Sequence, residues 1–121
     1  MREPLQIKFH NLEPSEFVEK AAREHAEKLE QFHDQIMSCR VTIEAPHKHQ
    51  NKGVLYHVTI DIRVPGDEIV VSRMPDDEKA HEDVYVAMRD AFNAARRQLK
   101  QYAQKRRGQV KRHATPPPVS E

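Results

Sequence analysis

The fold is decided by residues 54–67, which read VLYHVTIDIRVPGD. Up to Val64, apolar and polar residues alternate, and a period of two is typical of a β-strand that buries one face. The run Pro65-Gly66-Asp67 is a tight-turn signal, so residues 68–74 are predicted to return as the second strand of a hairpin. The buried side of the first strand is then formed by Val54, Tyr56, Val58, Ile60, Ile62 and Val64.

Two earlier segments show the same alternation. Residues 5–9 and 36–45 are each predicted to be strands with one apolar face. Between them a helix is predicted over residues 14–32, with Pro14 at its first helical position and Glu13 or Ser15 as its cap. The apolar stripe of this helix comprises Phe17, Val18, Ala21, Ala22, His25, Leu29 and Phe32.

The last predicted element is a helix from about His81 to about Arg107, with Gly108 as its stop. Its apolar residues recur at steps of three and four, which is typical of one buried stripe. The stripe comprises Val84, Met88, Ala91, Phe92, Ala95, Leu99 and Tyr102. At about 1.5 Å per residue the helix would be roughly 40 Å long, so its basic end from about Lys105 is expected to project beyond the core.

The order of these elements predicts an α+β fold of two layers. The first strand–helix–strand unit can be a parallel crossover, and the later strands can pair as hairpins. Two helices with one apolar stripe each would cover one face of a four-stranded sheet, in the order β-α-β-β-β-α. The other face of the sheet is expected to be solvated and of mixed charge. Residues 1–112 are predicted to form this one domain, and the Pro-rich residues 113–121 a disordered tail.

Length and composition restrict the class of protein. The chain has 121 residues, of which 37% are hydrophobic, and this suffices for one sheet-and-helix core. The single cysteine, Cys39, excludes an internal disulfide and fits a reducing compartment. No apolar run approaches the roughly 20 residues of a membrane span, and residues 1–11 lack the apolar region of a secretory signal. We therefore expect a cytoplasmic protein that does not contact a membrane.

The charges are divided unevenly along the chain. Residues 1–95 hold 12 cations against 18 anions, whereas residues 96–112 hold eight cations and no anion. This asymmetry indicates a polyanionic partner at one end of the molecule. The eight cations are Arg96, Arg97, Lys100, Lys105, Arg106, Arg107, Lys111 and Arg112.

Three short motifs carry a resemblance to a known family. The last helix opens with His81-Glu82-Asp83-Val84-Tyr85-Val86-Ala87-Met88 and continues with Arg97-Gln98-Leu99 and Lys105, while Lys28-Leu29-Glu30 lies near the end of the first helix. These runs are similar to the acidic-Tyr-x-Ala-hydrophobic opening, the basic helix end and the Lys-Leu-Glu of the ribosome hibernation-promoting factors. That family is also called the ribosome-associated inhibitors or the sigma-54 modulation proteins. The resemblance extends from Leu5 to about Arg112.

The resemblance implies a fold related in shape to double-stranded RNA-binding domains, and it also implies a function. Members bind the small ribosomal subunit near the decoding region, where mRNA and tRNA would lie, and block translation when growth slows. Lys28, Arg97 and Lys105 match basic family positions that are expected to face ribosomal RNA. Long members carry a further C-terminal domain that pairs ribosomes, and this sequence has no room for it, so we expect a short-type member that is monomeric when free. From their charge alone, further cations are predicted to bind RNA: Lys48, Lys52, Arg96, Lys100, Arg106, Arg107, Lys111 and Arg112.

Two other functions are compatible with particular residues. A loop is predicted over residues 46–53, and His47 and His49 in it, with His57 from the next strand, could hold a metal ion. The acidic stretch 76–83 could bind a protein such as a transcription factor, although such residues also favour the start of a helix. The sequence contains no Gly-rich phosphate loop, nucleophile elbow or pair of carboxylates placed for acid–base catalysis. We therefore predict no enzyme activity, no cofactor and no small-molecule substrate.

Overall fold

The computed structural model describes residues 1–49, 53–73 and 83–114, and it describes their side chains except at 46–49, 53–55, 73 and 109–114. The helices and strands follow the predicted order, β-α-β-β-β-α. They are β1 (Gln6–His10), α1 (Glu16–Phe32), β2 (Ser38–His49), β3 (Gly53–Val64), β4 (Asp67–Arg73) and α2 (Val84–Ala114).

The four strands form one mixed sheet in the order β1-β2-β3-β4. β1 and β2 are parallel because α1 provides the crossover between them, whereas the β2–β3 and β3–β4 pairs are antiparallel. The turn between β3 and β4 places Gly66 at a φ of 78°, a conformation that glycine adopts without steric cost. Val64 pairs with Asp67 across this turn, so the predicted hairpin is confirmed.

The core lies between one face of the sheet and the two helices. Several β-branched side chains at the centre of the sheet have no exposed surface: Val41, Ile43, Val58, Ile60 and Ile62. The helices oppose them largely with small side chains, which allow close approach: Ala22, Ala26, Ala87, Ala91 and Ala95. Burial of each valine or isoleucine contributes roughly 1.5–3 kcal/mol, so this layer stabilises the sheet-and-helix arrangement. The predicted two-layer α+β fold is confirmed.

Ser15, one of the two predicted caps, is the N-cap of α1. The Ser15 hydroxyl accepts a hydrogen bond from the backbone N–H of Val18 at 3.3 Å. Glu16 and Glu19 lie in the first turn, where the unpaired N–H groups of the helix favour negative charge. Ser15 rather than Glu13 therefore caps the helix, and the prediction that Pro14 is its first residue is wrong because α1 begins at Glu16.

The buried stripe of α1 is narrower than predicted. Phe17 is 78% exposed and Phe32 is 50% exposed, so the prediction is wrong for Phe17 and only half right for Phe32. Phe17 lies about 100° around the helix from Val18, at the margin of the stripe, because successive helical residues are separated by that angle. The stripe follows steps of four and three residues through Val18, Ala22, Ala26 and Leu29.

β2 extends beyond its predicted end. It runs to His49, so the prediction of a loop is wrong for residues 46–49, and it is also wrong for Gly53, where β3 begins. The pairing with β3 shifts register between Glu44 and His47, and Pro46 falls in this irregularity. A proline is tolerated there because a bulge does not require its missing N–H for the ladder.

α2 also extends beyond its predicted end. It begins at Val84 and continues through Gly108 to Ala114, so the prediction of a stop at Gly108 is wrong. A glycine inside a helix costs only about 1 kcal/mol relative to alanine, and neighbouring residues with good helix propensity offset that cost. Residues 113 and 114, which were assigned to the tail, are helical, and residues 115–121 lie outside the described part of the chain.

Candidate nucleic-acid interface

A groove of about 290 Å³ lies between α1 and α2. We call it the interhelix groove. α1 contributes one wall and α2 the other, and the residues that line it combine aromatic rings, cations and amides. They include His25, Lys28, Phe32, Phe92, Asn93 and Arg96.

Two ring contacts order this groove. The Arg96 guanidinium lies 4.5 Å from the centre of the Phe32 ring, and cation–π attraction favours that position. The His25 ring stacks on Phe92 with centres 4.9 Å apart and an angle of 13° between the planes. Burial lowers the pKa of His25 and the nearby charge of Lys28 lowers it further, so this imidazole is neutral near pH 7.

A second, larger cavity of about 770 Å³ lies nearer the C-terminal ends of the two helices. Phe32 borders both cavities, and Tyr102, Arg106 and Arg107 line the second. The ring of His33 packs edge-on against Tyr102 with centres 5.6 Å apart, and burial lowers the pKa of this histidine. This end of the surface therefore also joins aromatic rings to cations.

Arg106 is bound to the folded body. Its Nη1 donates hydrogen bonds to the carbonyl oxygen of Pro65 and to the hydroxyl of Tyr102, both at 2.9 Å. The prediction that the helix end stands clear of the core from about Lys105 is therefore wrong for Arg106. Its charge remains at the surface, because the side chain is exposed.

The other predicted helix cations are exposed. Within the described residues, neither a hydrogen bond nor an ion pair holds Arg97, Lys100, Lys105 or Arg107. Arg96, Lys100 and Arg107 follow one another at steps of four and seven residues, so they share one side of α2. Lys28 of α1 is exposed at the interhelix groove, beside the Arg96 end of this row. The structure thus assembles Lys28 of α1 and the row of α2 on one surface. Arg97 and Lys105 are exposed but lie about 100° and about 180° around α2 from Arg96, so they are not part of the row.

The remaining predicted cations are not placed at this surface. Lys48 belongs to β2, where it pairs with Val54 of β3, and its side chain is outside the described set. Lys111 and Arg112 continue α2, again without described side chains. Lys52 lies outside the described residues.

The open face of the sheet carries a polar chain that the sequence analysis missed. His57 Nε2 lies 2.6 Å from Ser72 Oγ, and His57 Nδ1 lies 3.5 Å from Glu44 Oε1. The residue types are those of a serine hydrolase, but the 3.5 Å separation is longer than the roughly 2.7–2.9 Å of a charge-assisted hydrogen bond. The contact between Glu44 and His57 could have been predicted only from the register of β2 against β3, which places these two residues opposite each other. We interpret it as a link between three strands.

The structure offers no support for the metal-binding alternative within the residues it describes. In those ranges, no three His, Cys, Asp or Glu side chains converge to hold a metal ion. The side chains of His47 and His49 lie outside the description, as do residues 76–82 of the acidic stretch. None of the helices in the same ranges is long and apolar enough to cross a membrane.

Solved structures of other proteins share the fold. The N-terminal domain of Protein Y from Thermus thermophilus matches with a TM-score of 0.62 at 17% sequence identity, covering 80% of this chain and 94% of that one. A ribosomal subunit interface protein from Coxiella burnetii matches with a TM-score of 0.65 at 14% identity, covering 83% of this chain and 97% of that one. At such low identities the similarity shows the fold alone. A comparison with curated protein sequences finds no significant match.

The sequence itself matches the family described as "Sigma 54 modulation protein / S30EA ribosomal protein" over residues 5–107. The match covers all four strands, the whole of α1, and α2 as far as Arg107, so it includes the row of cations on α2. The resemblance drawn from the helix motifs is thereby confirmed, and the family is one of ribosome-associated factors rather than a known family of enzymes. The chain belongs to the Sigma 54 modulation protein / S30EA ribosomal protein family.

Proposed function

We propose that the protein binds the small ribosomal subunit near its decoding channel and inhibits translation by occupying that channel. The observation that carries the proposal is the row of exposed cations on α2, which α1 extends with Lys28. Residues 91–112 contain no acidic side chain, so this part of α2 presents a field of one sign. The ribosomal subunit interface protein from Coxiella burnetii shares this fold, which is consistent with the proposal.

Ribosomal RNA suits such a surface because it is dense in phosphate. Lysine and arginine bind phosphates with little dependence on sequence, and the release of condensed counterions drives the affinity. Arginine adds bidentate contacts with phosphate and stacks on unpaired bases. Inhibition then requires only that the protein fill the space that mRNA and tRNA need, and no chemical step is involved.

The salt dependence of binding tests the electrostatic part of this proposal. If six or more cations contact phosphate, affinity for small subunits should fall about a thousandfold or more between roughly 50 and 200 mM salt, taking the slope for duplex DNA as a guide. Sedimentation of small subunits with the protein through sucrose gradients at each salt concentration measures this fall. A nearly flat response would contradict the proposal.

Charge reversal tests where the surface lies. The double variant Lys100→Glu with Arg107→Glu reverses two exposed cations of the row, and it should lose co-sedimentation with small subunits and should no longer inhibit a cell-free translation reaction. The matched control is Arg2→Glu with Lys8→Glu, which changes the net charge equally in the N-terminal segment and on the open face of the sheet. Equal binding by both double variants would overturn the proposal that α2 makes the contact.

Digestion of the ribosomal RNA with ribonuclease distinguishes binding to RNA from binding to a protein partner. The bound protein should leave the particles once ribonuclease has cut the RNA. Continued binding to the remaining ribosomal proteins, or capture of a transcription factor in its place, would favour the protein-interaction function instead.

A further inference from the structure

We propose that the interhelix groove is a pocket for one unpaired nucleotide of RNA, with the base stacked against Phe32 and Arg96. This inference rests on the proposed function, because it states which part of the ribosomal RNA binds beside the row of cations. It goes beyond phosphate contacts in assigning the groove a ligand with an aromatic ring.

The walls of the groove are flat surfaces on which a base can stack. Phe32 is half-exposed, and the Arg96 guanidinium lies over its ring at 4.5 Å. Phe92 is only 3% exposed and is covered by the stacked ring of His25, so this pair closes one side of the groove. Proteins that bind unpaired bases use aromatic rings and arginine planes in this way.

The rim of the groove supplies polar groups for the edge of a base and for its phosphate. Gln31 and Asn93 line the groove and are exposed, and neither amide forms a hydrogen bond with another described group. An amide carries both donors and an acceptor, which suits the edge of any base. Lys28 and Arg96 add positive charge beside the phosphate of the same nucleotide.

The size of the groove limits the ligand to a single nucleotide. Its volume of about 290 Å³ is just below the roughly 300–1,000 Å³ that ligand clefts span. Bases in a duplex are stacked and paired, so their faces cannot enter such a groove. The ligand is therefore an unpaired base of a loop, a bulge or a strand end.

A titration of the full chain with adenosine 5′-monophosphate tests this pocket. Ribose 5-phosphate serves as the control because it carries the sugar and phosphate without the base. We expect the nucleotide to shift the aromatic NMR signals of Phe32, Phe92 and His25, and ribose 5-phosphate to leave them in place. Equal shifts with both compounds would mean that the groove binds only the anion, and no shift with either would mean that it binds neither; both results overturn the inference.

Substitutions make the test specific to the stacking wall. Phe32→Ala and Arg96→Ala should each weaken binding of the nucleotide about tenfold, in line with the loss of one stacked base. Phe17→Ala is the matched control, because Phe17 is an exposed phenylalanine of the same helix that does not line the groove. Both phenylalanines are at least half-exposed, so these variants should fold, which circular dichroism verifies. Unchanged affinity in Phe32→Ala would overturn the stacking.

The outcomes for the pocket and for the proposed function can be told apart. If the nucleotide shifts the groove signals while small subunits do not co-sediment with the protein, the pocket stands and the ribosomal function fails. If small subunits bind but the nucleotide leaves the groove unchanged, the function stands and the pocket fails.

Discussion

The hydroxyl of Tyr102 donates a hydrogen bond to the carbonyl oxygen of Pro65 at 2.6 Å. This bond joins α2 to the tight turn between β3 and β4, across 37 residues of sequence. Arg106, one turn further along α2, donates to the same carbonyl. The turn that defines the hairpin thus also fixes the position of the basic helix against the sheet.

The Tyr102 bond should contribute measurably to stability. Tyr102→Phe retains the buried ring but removes the hydroxyl, and with it both the bond donated to Pro65 and the bond accepted from Arg106. A net loss of about 1–2 kcal/mol in the free energy of unfolding is therefore expected. Equilibrium urea denaturation measures this loss. Tyr85→Phe is the control, because Tyr85 is 45% exposed and its hydroxyl makes no described hydrogen bond. A Tyr102→Phe variant as stable as the control would show that the bond to Pro65 contributes nothing.

Two adjacent arginines should behave differently because only one is held by the fold. Arg107→Ala should reduce the slope of log affinity against log salt by about 0.9, the value for one phosphate contact on duplex DNA, with no change in stability. Arg106→Ala should instead lower the free energy of unfolding by about 1 kcal/mol, because it removes two hydrogen bonds, and should change the salt slope less. Salt titrations of small-subunit binding and urea denaturation of both variants measure these effects. A loss of stability in Arg107→Ala, with the larger change of salt slope in Arg106→Ala, would contradict the prediction.

The strands were predictable from sequence because each buries one face, and a period of two shows directly in the residues of β3. The hairpin was predictable because Gly66 sits where the turn needs a positive φ. The length of α2 was not predictable, because the single glycine at Gly108 costs too little free energy to end a helix whose neighbouring residues favour helix on both sides. The basic surface was predictable as a cluster of charge, but its aromatic component was not. Phe32 and His25 were assigned to a buried stripe, and only the packing of α1 beside α2 places them in a groove.

Phe17 provides a test of how narrow the α1 stripe is. Phe17→Ala should change the free energy of unfolding by no more than about 0.5 kcal/mol, as is usual for an exposed position. Val18→Ala should lower it by about 1–3 kcal/mol, because Val18 is only 6% exposed and loses buried apolar groups. Urea denaturation of the two variants measures both effects. A larger loss for Phe17→Ala than for Val18→Ala would restore the prediction that Phe17 belongs to the core.

Glu68 should make stability depend on pH in an unusual direction for a carboxylate. A hydrogen bond to Asp61 and the negative charge of that residue raise the pKa of Glu68, although Arg63 and Arg40 oppose the shift. Because its pKa is raised, the folded protein retains this proton more strongly than the unfolded chain, and the folded state is disfavoured once Glu68 ionises. Glu68→Gln should therefore raise the melting temperature at pH 7, and its advantage should shrink as the pH falls towards 4.

The melting temperature of Glu68→Gln measured from pH 4 to pH 7 checks this dependence. Glu13→Gln, in the segment between β1 and α1, removes the same charge and is the matched control. Parallel curves for the wild type and Glu68→Gln across that range would show that repulsion from Asp61 is absent.

Cys39 should be unreactive as long as the protein is folded. The thiol is 2% exposed, and burial, with smaller contributions from the charges of Asp61 and Glu30, raises its pKa to about 12. At pH 8 about one thiol in ten thousand would then be the reactive thiolate, and the sheet and helices also keep reagent away from it. Labelling with a chromogenic disulfide reagent should be slow in the native protein and should reach one thiol per chain above the midpoint of urea unfolding.

An exposed thiol provides the control for that measurement. Met37, two residues earlier in the chain, is 36% exposed, so Met37→Cys in a Cys39→Ala background should react fully under native conditions. The rate for native Cys39 should instead rise with urea in step with the unfolded fraction, because only opened molecules present the thiol. Complete labelling of native Cys39 at the rate of the Met37→Cys thiol would show that the layer between β2 and α1 opens far more readily than its packing indicates.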